Sequence, residues 1–344
     1  DGKELTAASN GADATGDGYA AALRVGCALQ DMEFVQYTPT AFAAPAGLKG
    51  HTIVGTLLTL PDVRLLNVKG ERFMERYAPD LVEAAGRATL ARAIYREVQE
   101  GRGTDEGAVY LDATAVSAEA FNRHRPGFYD MCRAHGVDPC KEPLQTAPAV
   151  HTCLGGIKAG SDLKAAENLF VAGEVMAGMH GANRLSSNSL TEANVTGWRA
   201  GESAAAWASA HEDAGEFTTS FQLPGSGGTR IADLHCRLQQ VMADAAGVER
   251  DAKSLRAGLD ALTQIHLDCE AARHAGVDTV TGWLGVRNMA LVAEAILGSA
   301  LERSESRGAH FRTDYPDPCN ELGQVNVCCT LEDSALSFHR VPGA

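Results

Sequence analysis

The residues best suited to chemistry in this sequence cluster between Gly173 and Glu192, in GEVMAGMHGANRLSSNSLTE. One cation, Arg184, stands in a glycine-rich loop beside His180 and Asn183. A guanidinium presents a planar fork of donors that meets a carboxylate in a bidentate, charge-assisted pair. Before the loop, Leu169-Phe170-Val171-Ala172 reads as a buried strand ending in Gly173; after it, Ser189-x-x-Glu192 reads as a capping box. Strand, loop and helix N-terminus in that order gather unpaired backbone N–H groups and partial positive charge, which suits an anionic or electron-rich ligand edge. A second candidate, His151, heads HTCLGGI, whose Gly155 and Gly156 allow close approach of a backbone to a ligand.

The elements that must position these residues alternate in type along the chain. ATGDG (Ala14 to Gly18) is a turn with Asp17 suited to capping a helix over Tyr19 to Leu29, and Met32 to Tyr37 reads as a short strand. From Ala41 to about Ala149 the pattern is mixed α/β: strands over Thr52 to Leu60 and Val63 to Val68, a helix over Asp80 to Gln99, a strand at Val109 to Leu111 and a helix over Ala118 to His135. The helix after the Arg184 loop holds Ala200, Gly201, Ala204 and Ala205, small enough for a close neighbour. A linker at Leu223 to Gly228 leads to three amphipathic helices. Their apolar positions are Ile231, Leu234 and Leu238, then Leu255, Leu262 and Ile265, then Trp283, Met289 and Ile296, a pattern that predicts an antiparallel bundle. The arginines and His310 of ESRGAHFR (Glu305 to Arg312) are expected to pack back on the earlier domain, and Gln324 to Ser337 reads as strands.

At 344 residues, with 45% apolar and 22% charged residues, the chain has room for two or three domains with sizeable cores. Its net charge of −14 disfavours nucleic acid and anionic membrane as direct partners. The longest apolar stretch, Ala290 to Leu301, includes Glu294 and falls short of the roughly 18 residues of a membrane span. Asp1 to Asn10 is polar, unlike a signal peptide. Nine cysteines without a CxxC pair predict free thiols in a reducing compartment and no zinc or iron–sulfur site in the chain. No metal ligand set is expected, and Cys328 and Cys329 read as structural.

Together ATGDG, DMEFVQ (Asp31 to Gln36), HTCLGGI and HGANRLSSNSL (His180 to Leu190) resemble the flavoprotein subunits of fumarate reductase and succinate dehydrogenase. L-aspartate oxidase and adenylylsulfate reductase are relatives in that superfamily, and Arg92 to Ile94 and Glu305 to Pro316 fit the same pattern. The resemblance implies an α/β flavin-binding domain, present in part, with an α+β capping domain and a C-terminal three-helix bundle. The implied segments are 1–40 with 149–222 for FAD, 41–148 for the cap, 229–313 for the helices and 314–344 for a tail. FAD is the implied cofactor, contacted by Asp17, Gln36, Glu174, Asn188, Ser189 and Leu190. Arg184 and His151 would hold the carboxylates of a small dicarboxylate such as fumarate or succinate, and Arg92 would deliver a proton.

The same resemblance implies a cytoplasmic location and an iron–sulfur partner subunit, with any membrane association made through partners. The strand–GxGxxG–helix unit that opens such flavoproteins is not found; GSGG at Gly225 to Gly228 follows no strand. The chain is therefore expected to be a fragment, or to work with a separate polypeptide carrying the N-terminal nucleotide-binding half. Thr38 stands where the family has a substrate-binding histidine, for which His51 is a weaker replacement, and Gly50 to Leu60 replaces TExxRGEGG. Thr152 and Cys153 also depart from the usual aromatic and threonine. These changes keep two alternatives open, an L-aspartate oxidase-like enzyme and a non-catalytic scaffold subunit.

Overall fold

The computed structural model describes residues 7–9, 11, 14–53, 55–211 and 221–343. Most of the polar stretch Asp1 to Asn10, and residues 212–220 of the expected flavin-binding segment, lie outside the described residues. In chain order the elements begin with β1 (Ala7–Ala8), α1 (Asp17–Arg24), β2 (Leu29–Gln30), β3 (Val35–Phe42), β4 (Arg64–Leu66), α2 (Met74–Tyr77) and α3 (Arg87–Gln99). Then come β5 (Val109–Asp112), α4 (Ala118–His124), α5 (Phe128–Ala134), β6 (Leu144–Cys153), β7 (Gly156–Ile157), β8 (Lys164–Ala166), β9 (Leu169–Phe170) and α6 (Asn188–Ala210). Last are β10 (Ser226–Thr229), α7 (Ile231–Ala245), α8 (Ala252–Ala275), α9 (Val280–Glu302), β11 (Val325–Glu332) and β12 (Ala335–Pro342). They form two compact units, one of residues 1–11 with 36–151 and one of residues 12–35 with 152–344.

The first unit contains the expected capping segment, 41–148. Its sheet runs β1-β6-β5-β4, with β3 also on β6, and β1 parallel to β6. Thr52 to Leu60 is not a strand: it contains a 3-10 turn, Gly55–Thr59. Adjacent Leu57 and Leu58 are both buried there, which the alternating faces of a strand would not allow on a one-sided sheet. The expected helix Asp80 to Gln99 is broken at extended Gly86, with a 3-10 turn before it and α3 after it. Likewise Pro126 and Gly127, the latter at φ 77°, divide Ala118 to His135 into α4 and α5. Leu65, Phe73, Leu90, Ile94, Leu111, Phe121 and Phe128 meet in one core.

α3 is fixed by a buried carboxylate. Glu97 accepts hydrogen bonds from Arg102 Nε and Nη2 at 2.7 Å, Arg76 at 2.9 Å, Asn67 at 2.9 Å and Tyr77 at 3.0 Å. Burial alone would push its pKa up, but the bonds from Arg102, Asn67, Arg76 and Tyr77 outweigh it and hold the group at about 2.

In the second unit β12-β11-β2-β7 form one sheet, and β8 with β9 form a hairpin. The single strand expected over Met32 to Tyr37 gives way to β2 and β3, separated by a turn that starts at Asp31 with φ 57°. β11 is covered on both faces, so neighbouring Cys328 and Cys329 are both fully buried. The expected linker includes β10, bridged to Val277. α7, α8 and α9 share a core of Leu234, Leu238, Leu255, Leu262, Trp283 and Leu297, as the helical spacing predicts. α8 starts with a capping box of Asp251 and Ser254. By length and composition α9 is apolar enough to cross a membrane over its 23 residues, longer than the stretch seen in the sequence, and 61% of its most apolar window is buried.

Of the ESRGAHFR segment, His310 packs back as expected, its ring edge-on to Phe34 at 6.3 Å, whereas Arg307 and Arg312 stay local, bonded to Glu305 and Asp314. Two arginines outside the segment hold the turn after β2. Arg303 binds Asp31 at 3.3 Å and Glu305 at 3.2 Å, contacts Glu33, and lies over the Phe34 ring at 4.9 Å. Arg250 donates to the Glu33 carbonyl at 2.7 Å and lies 3.1 Å from His310 Nδ1. Burial, followed by the charge of Arg250, depresses the His310 pKa and favours a neutral ring.

Candidate functional site

Arg184 lies in the second unit and is 5% exposed. Burial lowers its pKa, while the carboxylates of Glu174 and Glu192 pull it back up; a guanidinium stays charged under both influences. The loop that carries it is held at two points. On one side His180 Nε2 lies 2.8 Å from Glu192 Oε2. On the other, Ala309 N–H donates to the Ala182 carbonyl at 2.8 Å. Gly308, at φ 56°, makes that approach possible, since a Cβ there would sit 2.1 Å from the Ala182 oxygen. Gly308 and Ala309 are thus supports of the loop that residue types alone did not single out.

The capping box expected at Ser189 does not form. α6 begins at Asn188, its N-cap is Ser187 at φ 70° with no side-chain cap, and Glu192 faces His180 instead. The early N–H groups of Ser189 and Leu190 therefore lack side-chain caps. The strand before the loop is shorter and more open than expected: β9 is half-buried and is followed by a 3-10 turn, Gly173–Val175. Thr196 of α6 secures that turn, accepting from Gly173 N–H at 2.9 Å while donating to the Glu192 carbonyl at 2.7 Å.

Glu174 in this turn accepts from Cys153 N–H at 3.2 Å, and its carbonyl accepts from the Tyr19 hydroxyl at 3.0 Å. Burial first, then nearby carboxylates, push the Cys153 thiol up to about 12, so it is no nucleophile at neutral pH. Asp17 does not cap α1. It is the first helical residue after Gly16 and accepts from Asn288 at 2.5 Å.

The remaining candidates belong to the first unit. His151 is half-buried near the end of β6, with Nδ1 2.8 Å from Ser9 Oγ. Gln36 and Thr38 are buried on β3. Arg92 is half-buried in the middle of α3, and Arg87, five positions earlier, is the first residue of that helix. His51 is exposed, with its backbone bonded to Phe42 and Leu48.

The profile of the FAD binding domain family matches residues 5–190 of this sequence. The chain belongs to that family. A second profile, fumarate reductase flavoprotein C-term, matches residues 235–335 of this flavoprotein. It is 35% identical to a fumarate reductase (CoM/CoB) subunit of Methanothermobacter marburgensis over 324 residues, covering 90% of this chain and 58% of that one. It is 37% identical to the L-aspartate oxidase of Mycobacterium leprae over 336 residues, covering 96% of this chain and 60% of that one. Among solved structures, a point variant of FrdA from E. coli quinol fumarate reductase superposes with a TM-score of 0.86 at 26% identity, covering 99% of this chain and 64% of that one. The chain thus spans about 60% of the length of the relatives it matches.

FAD is the cofactor of this family, and the flavoprotein has features that fit it. α6 offers an N-terminus free of a side-chain cap, and a Cβ built at Gly178 or Gly181 meets nothing within 4 Å, so the loop backbone is open to a ligand. Glu174 stands between that loop and α1, where a carboxylate can accept from ligand hydroxyls.

Proposed function

We propose that this chain is the substrate-handling part of an FAD-dependent oxidoreductase acting on a small dicarboxylate of the fumarate and succinate type. When bound, FAD would supply or accept the hydride. The observation that carries the proposal is a buried guanidinium, Arg184, in a loop braced on both sides beside the uncapped start of α6.

Each residue has a separable task. Arg184 takes one substrate carboxylate in a bidentate pair, at a position where water competes poorly. His151, held by Ser9, is assigned the other carboxylate. Arg92 is assigned delivery of a proton to the substrate carbon; a guanidinium is a poor acid, so this needs a relay and exclusion of water. Ser189 and Leu190 would offer backbone N–H groups to the electron-rich part of FAD, and Asp17, Gln36, Glu174 and Asn188 would complete its contacts. An iron–sulfur subunit is the proposed electron partner, and the rest of the nucleotide-binding half is supplied by further polypeptide.

L-aspartate is the competing substrate, because one relative named for that activity is 37% identical over 96% of this chain. Anaerobic titration of the FAD-loaded assembly separates the two. Bleaching of the flavin by succinate but not L-aspartate supports the dicarboxylate assignment; the opposite pattern replaces it with an amino-acid oxidase, and bleaching by neither supports a scaffold role.

A further inference from the structure

His151 belongs to β6, and β1 runs parallel beside it, with Ala7 level with Ala149 and Ala8 level with Val150. One more step in that register brings Ser9 level with His151. Side chains level with each other on adjacent strands leave the sheet on the same face, about 5 Å apart. A side chain as short as serine reaches, across that spacing, the ring nitrogen nearer the backbone, and Nδ1 of His151 lies 2.8 Å from Ser9 Oγ. The Ser9 N–H donates to the Val150 carbonyl at 2.9 Å, so the backbone fixes where the hydroxyl starts.

The hydroxyl has one proton and two acceptors within reach, Nδ1 at 2.8 Å and the Val150 carbonyl at 3.2 Å. That carbonyl already holds the Ser9 N–H, whereas a neutral imidazole keeps a lone pair on one ring nitrogen. The shorter contact therefore takes the proton. A neutral ring that accepts at Nδ1 carries its own hydrogen on Nε2. An ionised carboxylate only accepts hydrogen bonds, so this tautomer gives it a donor, and the other would turn a lone pair toward it. When the ring gains a second proton, Nδ1–H donates to Ser9 Oγ and the hydroxyl turns to the Val150 carbonyl. Nε2 keeps its hydrogen in both charge states.

We infer that Ser9 is a positioning residue: its hydroxyl donates to Nδ1 of His151 and keeps the ring hydrogen on Nε2, the nitrogen that meets a substrate carboxylate. The inference rests on the carboxylate role proposed for His151 and adds to it the group that sets the ring's tautomer. Every residue it uses lies in the first unit.

Ring-nitrogen NMR of the full chain, isotope-labelled at the histidine nitrogens, tests it without cofactor or substrate. The His151 signals are those lost in His151→Gln. At mildly alkaline pH, where an ordinary imidazole is neutral, they should show an unprotonated, hydrogen-bonded Nδ1 and a protonated Nε2. Ser9→Ala keeps the backbone bond to Val150 and should move the Nδ1 signal, either to that of an unbonded lone pair or to the protonated form. Ser9→Thr, which retains a hydroxyl, should restore it. A protonated Nδ1 in the parent chain, or His151 signals unchanged in Ser9→Ala, would overturn the inference. In the FAD-loaded assembly Ser9→Ala should raise KM for fumarate about 3–10-fold, roughly the worth of one net hydrogen bond, with kcat changed less. Ring signals that follow Ser9 while KM stays put keep the tautomer assignment and remove the carboxylate role of His151; a raised KM with unmoved ring signals does the reverse.

Discussion

His180 Nε2 lies 2.8 Å from Glu192 Oε2, and the contact ties the middle of the glycine-rich loop to the first turn of α6. Arg184 sits between these two residues in sequence, so the pair closes a loop around the cation. Glu192→Ala leaves the His180 ring without its partner, and an unsatisfied buried polar group is worth about 1–3 kcal/mol. Hydrogen exchange across Met179 to Ser187 should speed up while exchange in α7 to α9 stays unchanged. Equal protection of the loop in both proteins would show that the pair does not brace it.

Gly308→Ala adds a methyl group where the Ala182 oxygen stands 2.1 Å away, at a backbone φ of 56°. The variant should lower stability by about 2–4 kcal/mol through overpacking and backbone strain together. In the FAD-loaded assembly KM for the dicarboxylate should rise, because the displaced Ala182 is two residues from Arg184. Chemical denaturation and steady-state kinetics measure the two effects separately.

Acid should loosen α3. Glu97 is held at about 2 in the fold, below the ordinary value of 4.5 that it regains on unfolding. Its contribution is therefore complete above pH 4.5 and is lost as pH falls toward 2. Glu97→Gln should remove most of that pH dependence and destabilise the first unit by about 1–3 kcal/mol, since Arg102 and Arg76 are partly exposed and keep Glu100 and Glu71 as partners. Urea titrations between pH 3 and 7 (roughly the carboxylate range) would give parallel curves for the two proteins if Glu97 carried no such role.

Two arginines on α3 compete for the proton-delivery role. Arg92 comes from the resemblance; Arg87 lies five residues earlier, at the start of the same helix. Arg92→Gln should reduce kcat by about 10²–10⁴-fold with FAD retained, the range of a lost general acid. A near-normal kcat for Arg92→Gln alongside that loss in Arg87→Gln would move the role to the first turn.

Legibility in the sequence followed the length of the pattern. The three bundle helices were clear because Leu234, Leu255, Trp283 and their neighbours repeat at helical spacing for more than four turns. Short elements were not. Leu57 and Leu58 gave the apolar density of a strand, yet Gly55 and Pro61 confine them to a 3-10 turn. Ser189-x-x-Glu192 matched a capping box, but a tertiary partner, His180, took the glutamate, and no local rule contains that competition. The same limit hid Gly308, whose need for glycine comes from Ala182, 126 positions earlier in the chain. The Arg184 loop stood out as a cation among glycines between a strand and a helix, but a substrate role for it came from the resemblance. Arg92 was visible only by resemblance, since a half-buried arginine on a helix has many.

Arg184→Lys tests the central claim most directly. Lysine keeps the charge but not the bidentate fork. In the FAD-loaded assembly, reduced anaerobically with dithionite and mixed with fumarate, the parent protein should regain its flavin absorbance and Arg184→Lys should hold its FAD yet stay reduced. Reoxidation by fumarate at the parental rate in the variant would contradict the assignment of Arg184 to a substrate carboxylate, and with it the dicarboxylate function proposed for the chain.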